Sequence, residues 1–146
     1  MPWIRIWVHL VFSTKNREEM LNDIVRKKVF KHIKEYAAKR EIWLDQIGGF
    51  REHAHCLISL KNNQSIDKIA QLIKGESSFW VNKALNEQDY LKWQNDYWAV
   101  SVSESHLESI REYIKRQETH HKEFSFITEI DEFMNKFGWS KNISPG

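Results

Sequence analysis

Cysteine, proline and glycine are all scarce in this sequence of 146 residues, which contains one Cys, two Pro and five Gly. The single cysteine, Cys56, cannot form an internal disulfide, and it excludes zinc and iron–sulfur sites built from several cysteines. With 41% hydrophobic and 29% charged residues, the chain is predicted to form one globular domain over residues 1–146. We expect its core at about residues 3–122 and a C-terminal tail at about 123–146.

Long hydrophobic runs are also missing. The longest nearly apolar stretch, residues 6–12, is interrupted by His9 and is far shorter than the roughly 20 residues of a membrane-spanning helix. The N-terminal residues lack the apolar segment and the small-residue cleavage site of a secretion signal. We therefore expect no membrane association and a cytoplasmic location.

Neither sign of charge dominates, because 22 basic residues face 20 acidic ones. The totals alone therefore do not predict nucleic-acid binding. The segment from Arg26 to Arg40 is locally basic, since Glu35 is its one acidic residue. A solvated face of an amphipathic helix explains this run simply, and contact with DNA is the alternative.

Hydrophobic periodicity predicts the order β-α-β-β-α-β-α. Strands are expected at residues 3–13, 42–50, 53–60 and 97–102, and Gly48 and Gly49 permit a bulge or bend in the second of them. Helices are expected from Asn22 or Asp23 to about residue 40, after Ser65, and over about residues 105–121. An apolar-periodic piece follows at residues 127–137.

This order is that of an α+β, ferredoxin-like fold, in which a split βαβ antiparallel sheet carries two helices on one face. The third, C-terminal helix is an addition to it. The opposite sheet face must be covered by the added helix, a ligand, a nucleic acid or a second subunit. Functional residues are therefore expected on that face.

Two histidines lie two positions apart in the third predicted strand. Alternation places His53 and His55 on the less apolar face, while Ala54, Cys56 and Ile58 point to the core. Two imidazoles so placed are close enough to share one metal ion. A solvated His-x-His pair is the more common alternative for such a pattern.

The third predicted helix carries Tyr113 and Gln117 one turn apart, beside an apolar stripe. If this helix covers the histidine face, it brings an amide oxygen towards the metal and a phenolic hydroxyl close by. Core packing of the tyrosine and solvation of the glutamine are the alternatives.

An aromatic and basic segment at residues 92–98 is a candidate for DNA contact, through stacking on rings and pairing with phosphates. A loop that is held in place by buried aromatic side chains is an alternative explanation of the same pattern. The DNA-binding candidates are Lys92, Trp93, Tyr97 and Trp98, together with Lys15 near the N-terminus.

Taken together, these motifs resemble the HUH single-tyrosine transposases of small bacterial insertion sequences. The string E-H-A-H-C-L at residues 52–57 is followed at residues 113–117 by Y-x-x-x-Q. Residues 7–15 look like that family's first strand, and residues 93–103 look like its aromatic segment. Two positions depart from the pattern: Glu52 stands where the family often has Asp, and Ala54 is small for the middle position.

The resemblance implies that His53, His55 and Gln117 bind a divalent metal, Mg²⁺ or Mn²⁺, and that Tyr113 is the catalytic nucleophile. It implies cleavage and rejoining of single-stranded or hairpin DNA through a 5′-phosphotyrosine intermediate, with His120 or a basic residue helping to deprotonate the phenol. The family acts as a homodimer, and its tyrosine helix sometimes serves the partner's site; the sequence leaves this open.

A second function from a different class is also compatible with the sequence. A ferredoxin-like domain can bind single-stranded DNA or RNA without catalysis, using sheet aromatics such as Trp7 for stacking. In that case, replacement of Tyr113 by phenylalanine leaves the function intact.

Overall fold

A computed structural model describes residues 2–85, 88–119, 125, 128–129 and 131–132. The strands are β1 (Ile6–Ser13), β2 (Trp43–Phe50), β3 (His53–Leu60) and β4 (Trp98–Val102). The helices are α1 (Asp23–Lys39), α2 (Ile66–Ala84) and α3 (Leu107–Lys115), with short 3₁₀ turns at Lys15–Arg17 and Glu104–His106. This is the predicted order, and it confirms the α+β fold class.

The four strands form one antiparallel sheet in the order β2-β3-β1-β4. One face carries α1 and α2, whose apolar stripes pack on Leu10, Phe12 and Ile58 in the main core. The other face carries α3, through a smaller cluster that includes Leu57 and Ile114. The added helix thus covers the face on which functional residues were expected.

The first two helices begin where short polar side chains cap them. The Asn22 side chain accepts hydrogen bonds from the backbone N–H groups of Ile24 and Val25, and the Ser65 hydroxyl accepts one from Lys68. Each cap satisfies backbone donors that the first helical turn leaves unpaired. Both caps confirm the predicted helix starts.

The third helix is shorter than predicted. It ends at Lys115, Arg116 forms a turn, and residues 117–119 are helical again. The side chains that follow the turn reach in two directions, Gln117 to His53 and Glu118 to Arg26. These tertiary contacts override the local helical pattern, while residues 120 and 121 lie outside the described residues.

The sheet irregularity also lies elsewhere than predicted. The register shifts between Leu44 and Gln46, whereas Gly48 and Gly49 pair regularly with His55 and Ala54. At Gly48 the absence of a side chain instead allows α3 to lie close to the sheet, because a Cβ there would lie 2.2 Å from the backbone oxygen of Ile114. The bulge that the two glycines permit therefore does not form at them.

No helix among the described residues is long and apolar enough to cross a membrane. The predicted apolar piece at residues 127–137 lies mostly outside the described residues, of which it contains 128–129 and 131–132.

Candidate metal and nucleophile site

Strand β3 places His53 and His55 beneath α3, as the alternation predicted. Both rings are buried, with 0% and 1% of their surface exposed. The intervening Ala54 points to the opposite face and lies in the main core. The two imidazoles therefore belong to a covered site rather than to a solvated sheet surface.

Each imidazole is held at its Nδ1 atom. The Glu52 carboxylate lies 2.7 Å from Nδ1 of His53, and Nε2 of His9 lies 2.8 Å from Nδ1 of His55. A carboxylate can only accept, so Nδ1 of His53 donates to it, and in the neutral ring the lone pair is then on Nε2. Partners at Nδ1 that orient the ring are typical of metal-binding histidines.

The Nε2 atoms face oxygens rather than donors. Nε2 of His53 lies 2.8 Å from Oε1 of Gln117, and Nε2 of His55 lies 2.8 Å from Oε1 of Glu129. A cluster of lone pairs pointing at one another is stable only with a cation or a proton among them. This donor set of imidazole nitrogens, an amide oxygen and a carboxylate fits a divalent metal.

Glu129 is the member of this cluster that the sequence did not reveal. It is buried, and its carboxylate offers a ligand atom within 4.8 Å of those of His53 and His55. It comes from the tail, where the predicted apolar periodicity was the available signal and gave no reason to single out an acidic residue. Local pattern alone cannot bring residue 129 beside residue 55.

Tyr113 lies in the same cluster. Its hydroxyl donates to Oε2 of Glu129 at 2.5 Å, and its ring stands edge-on to that of His55 with centroids 5.4 Å apart. Burial, followed by the negative charge of Glu129 and the hydrogen bond to it, raises the pKa of the Tyr113 phenol. The hydroxyl is therefore protonated at neutral pH, and it could serve as a nucleophile only beside a group that takes its proton.

Three contacts hold α3 on the sheet of its own chain, and a fourth ties the residues after it to α1. Ile114 packs on Leu57 and passes directly over Gly48. Arg111 forms a bidentate ion pair with Asp45, with N···O distances of 2.7 and 3.2 Å. Asp45 lies at the register shift of β2. The fourth contact lies beyond the helix, where Glu118 pairs with the buried Arg26 at 2.7 Å. The chain thus brings its own Tyr113 and Gln117 to its own histidines.

A cleft of about 630 Å³ opens between β4 and α3 beside the tyrosine. Its walls combine apolar side chains with hydroxyl groups, and His9, Tyr113 and Glu129 are among its lining residues. It gives a ligand a route to the Tyr113 hydroxyl.

The candidate DNA-binding residues divide into two groups. Trp93 is buried against Phe12 in the main core, and its ring N–H donates to Ser77. This favours the packing interpretation, because a ring in this position has no face free for a base. Tyr97 is half-buried, and its hydroxyl donates to Asp67 at 3.0 Å.

The remaining candidates reach the surface. Lys15 and Lys92 are exposed, and the backbone N–H of Lys15 donates to the carbonyl of Lys92 at 2.8 Å. Lys15 comes just after the end of β1, where Ser13 pairs with His53, and Lys92 is bonded to it, so the two lysines lie at the histidine end of the sheet. Trp98, on β4, is partly exposed.

Trp7, the ring proposed for stacking in a non-catalytic binder, is covered. It is 9% exposed, packs with Leu107 and Ile114 of α3, and donates its ring N–H to Glu104 at 3.1 Å. The arrangement does not favour the non-catalytic alternative, because α3 occupies the face on which bases would stack.

The solved structures that share this fold include two transposases. A candidate transposase from Deinococcus radiodurans R1 is 21% identical with a TM-score of 0.63, and the match covers 80% of this chain and 93% of that one. A REP-associated tyrosine transposase bound to a REP hairpin is 15% identical with a TM-score of 0.62, over 83% of this chain and 72% of that one. No curated protein sequence matches significantly.

The family comparison is more specific than the structural likeness. The family model described as "Transposase IS200 like" matches residues 3–117, a range that includes the histidine pair, Tyr113 and Gln117 and ends before Glu129. The chain therefore belongs to the IS200-like transposase family.

Proposed function

We propose that this transposase is a metal-dependent strand transferase that cuts and rejoins single-stranded DNA through Tyr113. The observation that supports this most strongly is the convergence of His53, His55 and Gln117 in one buried cluster beside the Tyr113 hydroxyl. Neither the strand alternation nor the helix periodicity requires these four side chains to meet.

His53, His55 and Gln117 would hold a divalent ion, Mg²⁺ or Mn²⁺, with Glu129 as a further oxygen ligand. Such an ion polarises a phosphate and stabilises the charge that develops during its transfer. The two imidazoles among the donors favour Mn²⁺ over Mg²⁺, because Mg²⁺ prefers oxygen ligands.

Tyr113 attacks the phosphorus of the scissile phosphate. A phosphotyrosine ester forms on the 5′ side, the bond from phosphorus to the 3′ oxygen breaks, and that oxygen leaves as a 3′-hydroxyl after taking a proton. Glu129 is placed to accept the phenol proton, since its Oε2 atom is already the acceptor of that hydrogen bond. The ester conserves the energy of the broken bond, so a new 3′-hydroxyl can reverse the step without ATP.

The DNA substrate is expected to be a single strand that carries a hairpin. The structural relative in complex with a REP hairpin supports this choice. The cleft beside Tyr113 gives a strand access to the site, and the exposed Lys15 and Lys92 suit contacts with its phosphates. Joining two ends requires two tyrosines, so we propose that a homodimer performs the complete reaction.

Incubation with labelled hairpin-containing single-stranded DNA and Mn²⁺ tests this function on a denaturing gel. We expect a covalent protein–DNA adduct with the natural protein, none with Tyr113→Phe, and a loss of at least ~100-fold with His55→Ala. The matched control is Tyr90→Phe, which changes an exposed tyrosine and should leave the adduct unchanged. A natural protein that binds the DNA but forms no adduct would support the non-catalytic alternative.

The role of Glu129 as a ligand predicts a change in metal affinity. Glu129→Gln should weaken Mn²⁺ binding at least about tenfold in isothermal titration calorimetry, because it removes an anionic oxygen from a buried site. Glu112→Gln removes the same charge from an exposed position of α3 that does not line the cleft and should bind Mn²⁺ normally. Equal affinities for the two variants would exclude Glu129 from the ligand set.

A further inference from the structure

We propose that His9 is a positioning residue of the metal site, which fixes the tautomer and orientation of His55 so that its Nε2 atom faces the ion. This inference rests on the proposed function. His9 lies in the segment that resembles the family's first strand, but neither that resemblance nor the cluster of ligand atoms assigns it a role.

The sheet itself brings the two rings together. His9 pairs with Leu57 and Val11 pairs with His55, so His9 and His55 are diagonal neighbours on the same face of β1 and β3. Their rings stack with centroids 5.0 Å apart at an interplanar angle of 30°. His9 is 2% exposed, and both rings are therefore fixed by packing.

The hydrogen bond between the rings determines which nitrogen of His55 can bind metal. Nε2 of His9 and Nδ1 of His55 lie 2.8 Å apart, so one proton lies between them. A ligand imidazole presents a lone pair, and with Nε2 as the ligand atom the proton must sit on Nδ1. His9 then accepts this proton in a hydrogen bond through the lone pair of its own Nε2.

Glu52 has the corresponding position for His53, 2.7 Å from its Nδ1 atom. The two rings thus carry different anchors, an anionic carboxylate for one and a neutral imidazole for the other. A second carboxylate close to Glu129 would add repulsion within the cluster, whereas an imidazole orients His55 without adding negative charge.

Packing alone does not explain a histidine at this position. The neighbours Leu10 and Val11 are buried and apolar, and a buried imidazole costs free energy unless its nitrogens are hydrogen-bonded. A leucine would fill much of the same space. The bond to His55 gives this buried imidazole a partner at its Nε2 atom.

Two variants separate positioning from packing. His9→Gln keeps a polar group that can accept from Nδ1 of His55 near the place of the lost Nε2, whereas His9→Leu keeps the bulk and removes the acceptor. In isothermal titration calorimetry with Mn²⁺ and no DNA, we expect His9→Leu to lose roughly 10- to 100-fold in affinity and His9→Gln to retain most of it. Equal affinity of His9→Leu and the natural protein overturns the proposal.

Imidazole nitrogen shifts give a second readout, measured by long-range ¹H–¹⁵N NMR with saturating Mg²⁺, which is diamagnetic, because without metal the Glu129 carboxylate 2.8 Å away draws a proton to Nε2 of His55. We expect His55 of the natural protein to carry its proton on Nδ1, and His9→Leu to shift the ring towards the Nε2–H tautomer. An Nε2–H tautomer in the natural protein contradicts the inference even if His9→Leu fails to fold.

Failure of this inference is distinguishable from failure of the proposed function. If the natural protein forms the DNA adduct and His9→Leu binds Mn²⁺ normally, the positioning role alone is wrong. If Mn²⁺ binding depends on His9 but no adduct forms on any DNA, the strand-transfer chemistry is wrong and the positioning role stands.

Discussion

Replacement of Gly48 by alanine is expected to slow DNA cleavage by roughly 100-fold, the loss that a displacement of about 1 Å in an active site can cause. A Cβ at this position would lie 2.2 Å from the backbone oxygen of Ile114 and 3.0 Å from its side chain. Because the obstacle is backbone, α3 must move away from β2 and take Tyr113 and Gln117 with it. The histidines themselves are on β3 and remain in place.

Gly75→Ala is the matched control, because it makes the same change in the middle of α2 with nothing within 4 Å of the new Cβ. It should leave cleavage unchanged and raise the free energy of unfolding by up to about 1 kcal/mol through helix propensity. Single-turnover cleavage rates and thermal unfolding of both variants provide the measurements. A Gly48→Ala protein that cleaves at the rate of the natural protein would show that α3 does not occupy the observed position in the active enzyme.

A mixture of two inactive variants should stay inactive. The structure places Tyr113 over the histidines of its own chain, held by the Arg111–Asp45 ion pair and the approach at Gly48. In a mixed dimer of Tyr113→Phe and His53→Ala, neither chain then has both a nucleophile and a complete metal site. Adduct formation by the mixture should not exceed that of the two variants measured separately.

If α3 served the partner's site instead, the same mixed dimer would contain one intact site and would recover activity. Natural protein mixed with His53→Ala at the same total concentration is the control, because it shows whether mixing itself inhibits the reaction. Recovery of the adduct in the Tyr113→Phe and His53→Ala mixture would contradict catalysis within one chain.

Much of the fold could be predicted from local sequence because period and capping act over a few residues. Alternation in β1 and β3 fixes which side chains enter the main core, and Asn22 and Ser65 begin two helices by accepting backbone hydrogen bonds. The shared face of His53 and His55 follows from the same alternation. The convergence of Tyr113 and Gln117 on that face required, in addition, that α3 cover it.

The parts that sequence reasoning missed depend on contacts between distant segments. The break at Arg116 separates Gln117 from α3, and it accompanies bonds to His53 and Arg26 from the two residues that follow. Glu129 enters the site from the tail, 74 positions from His55. The local sequence around these residues does not indicate their tertiary partners. A helical pattern predicts which face of the helix is buried, but not which residues pack against that face.

Trp93 is a residue for which the local sequence suggests a functional role that core packing explains instead. Its neighbourhood of lysine and aromatic residues is typical of nucleic-acid contact, yet the ring fills the main core and bonds to Ser77. An aromatic ring that stacks on a base and one that fills a core look alike in sequence, because both need the same large apolar surface.

The chemical identity of the residue joined to DNA tests the central claim most directly. After reaction with hairpin-containing single-stranded DNA and Mn²⁺, nuclease and protease digestion leave a nucleotide on one peptide, which mass spectrometry can locate. We predict a nucleotide attached through its 5′-phosphate to Tyr113. Attachment to Tyr36, Tyr90 or Tyr97, the other tyrosines of the chain, or to any other side chain would contradict the account.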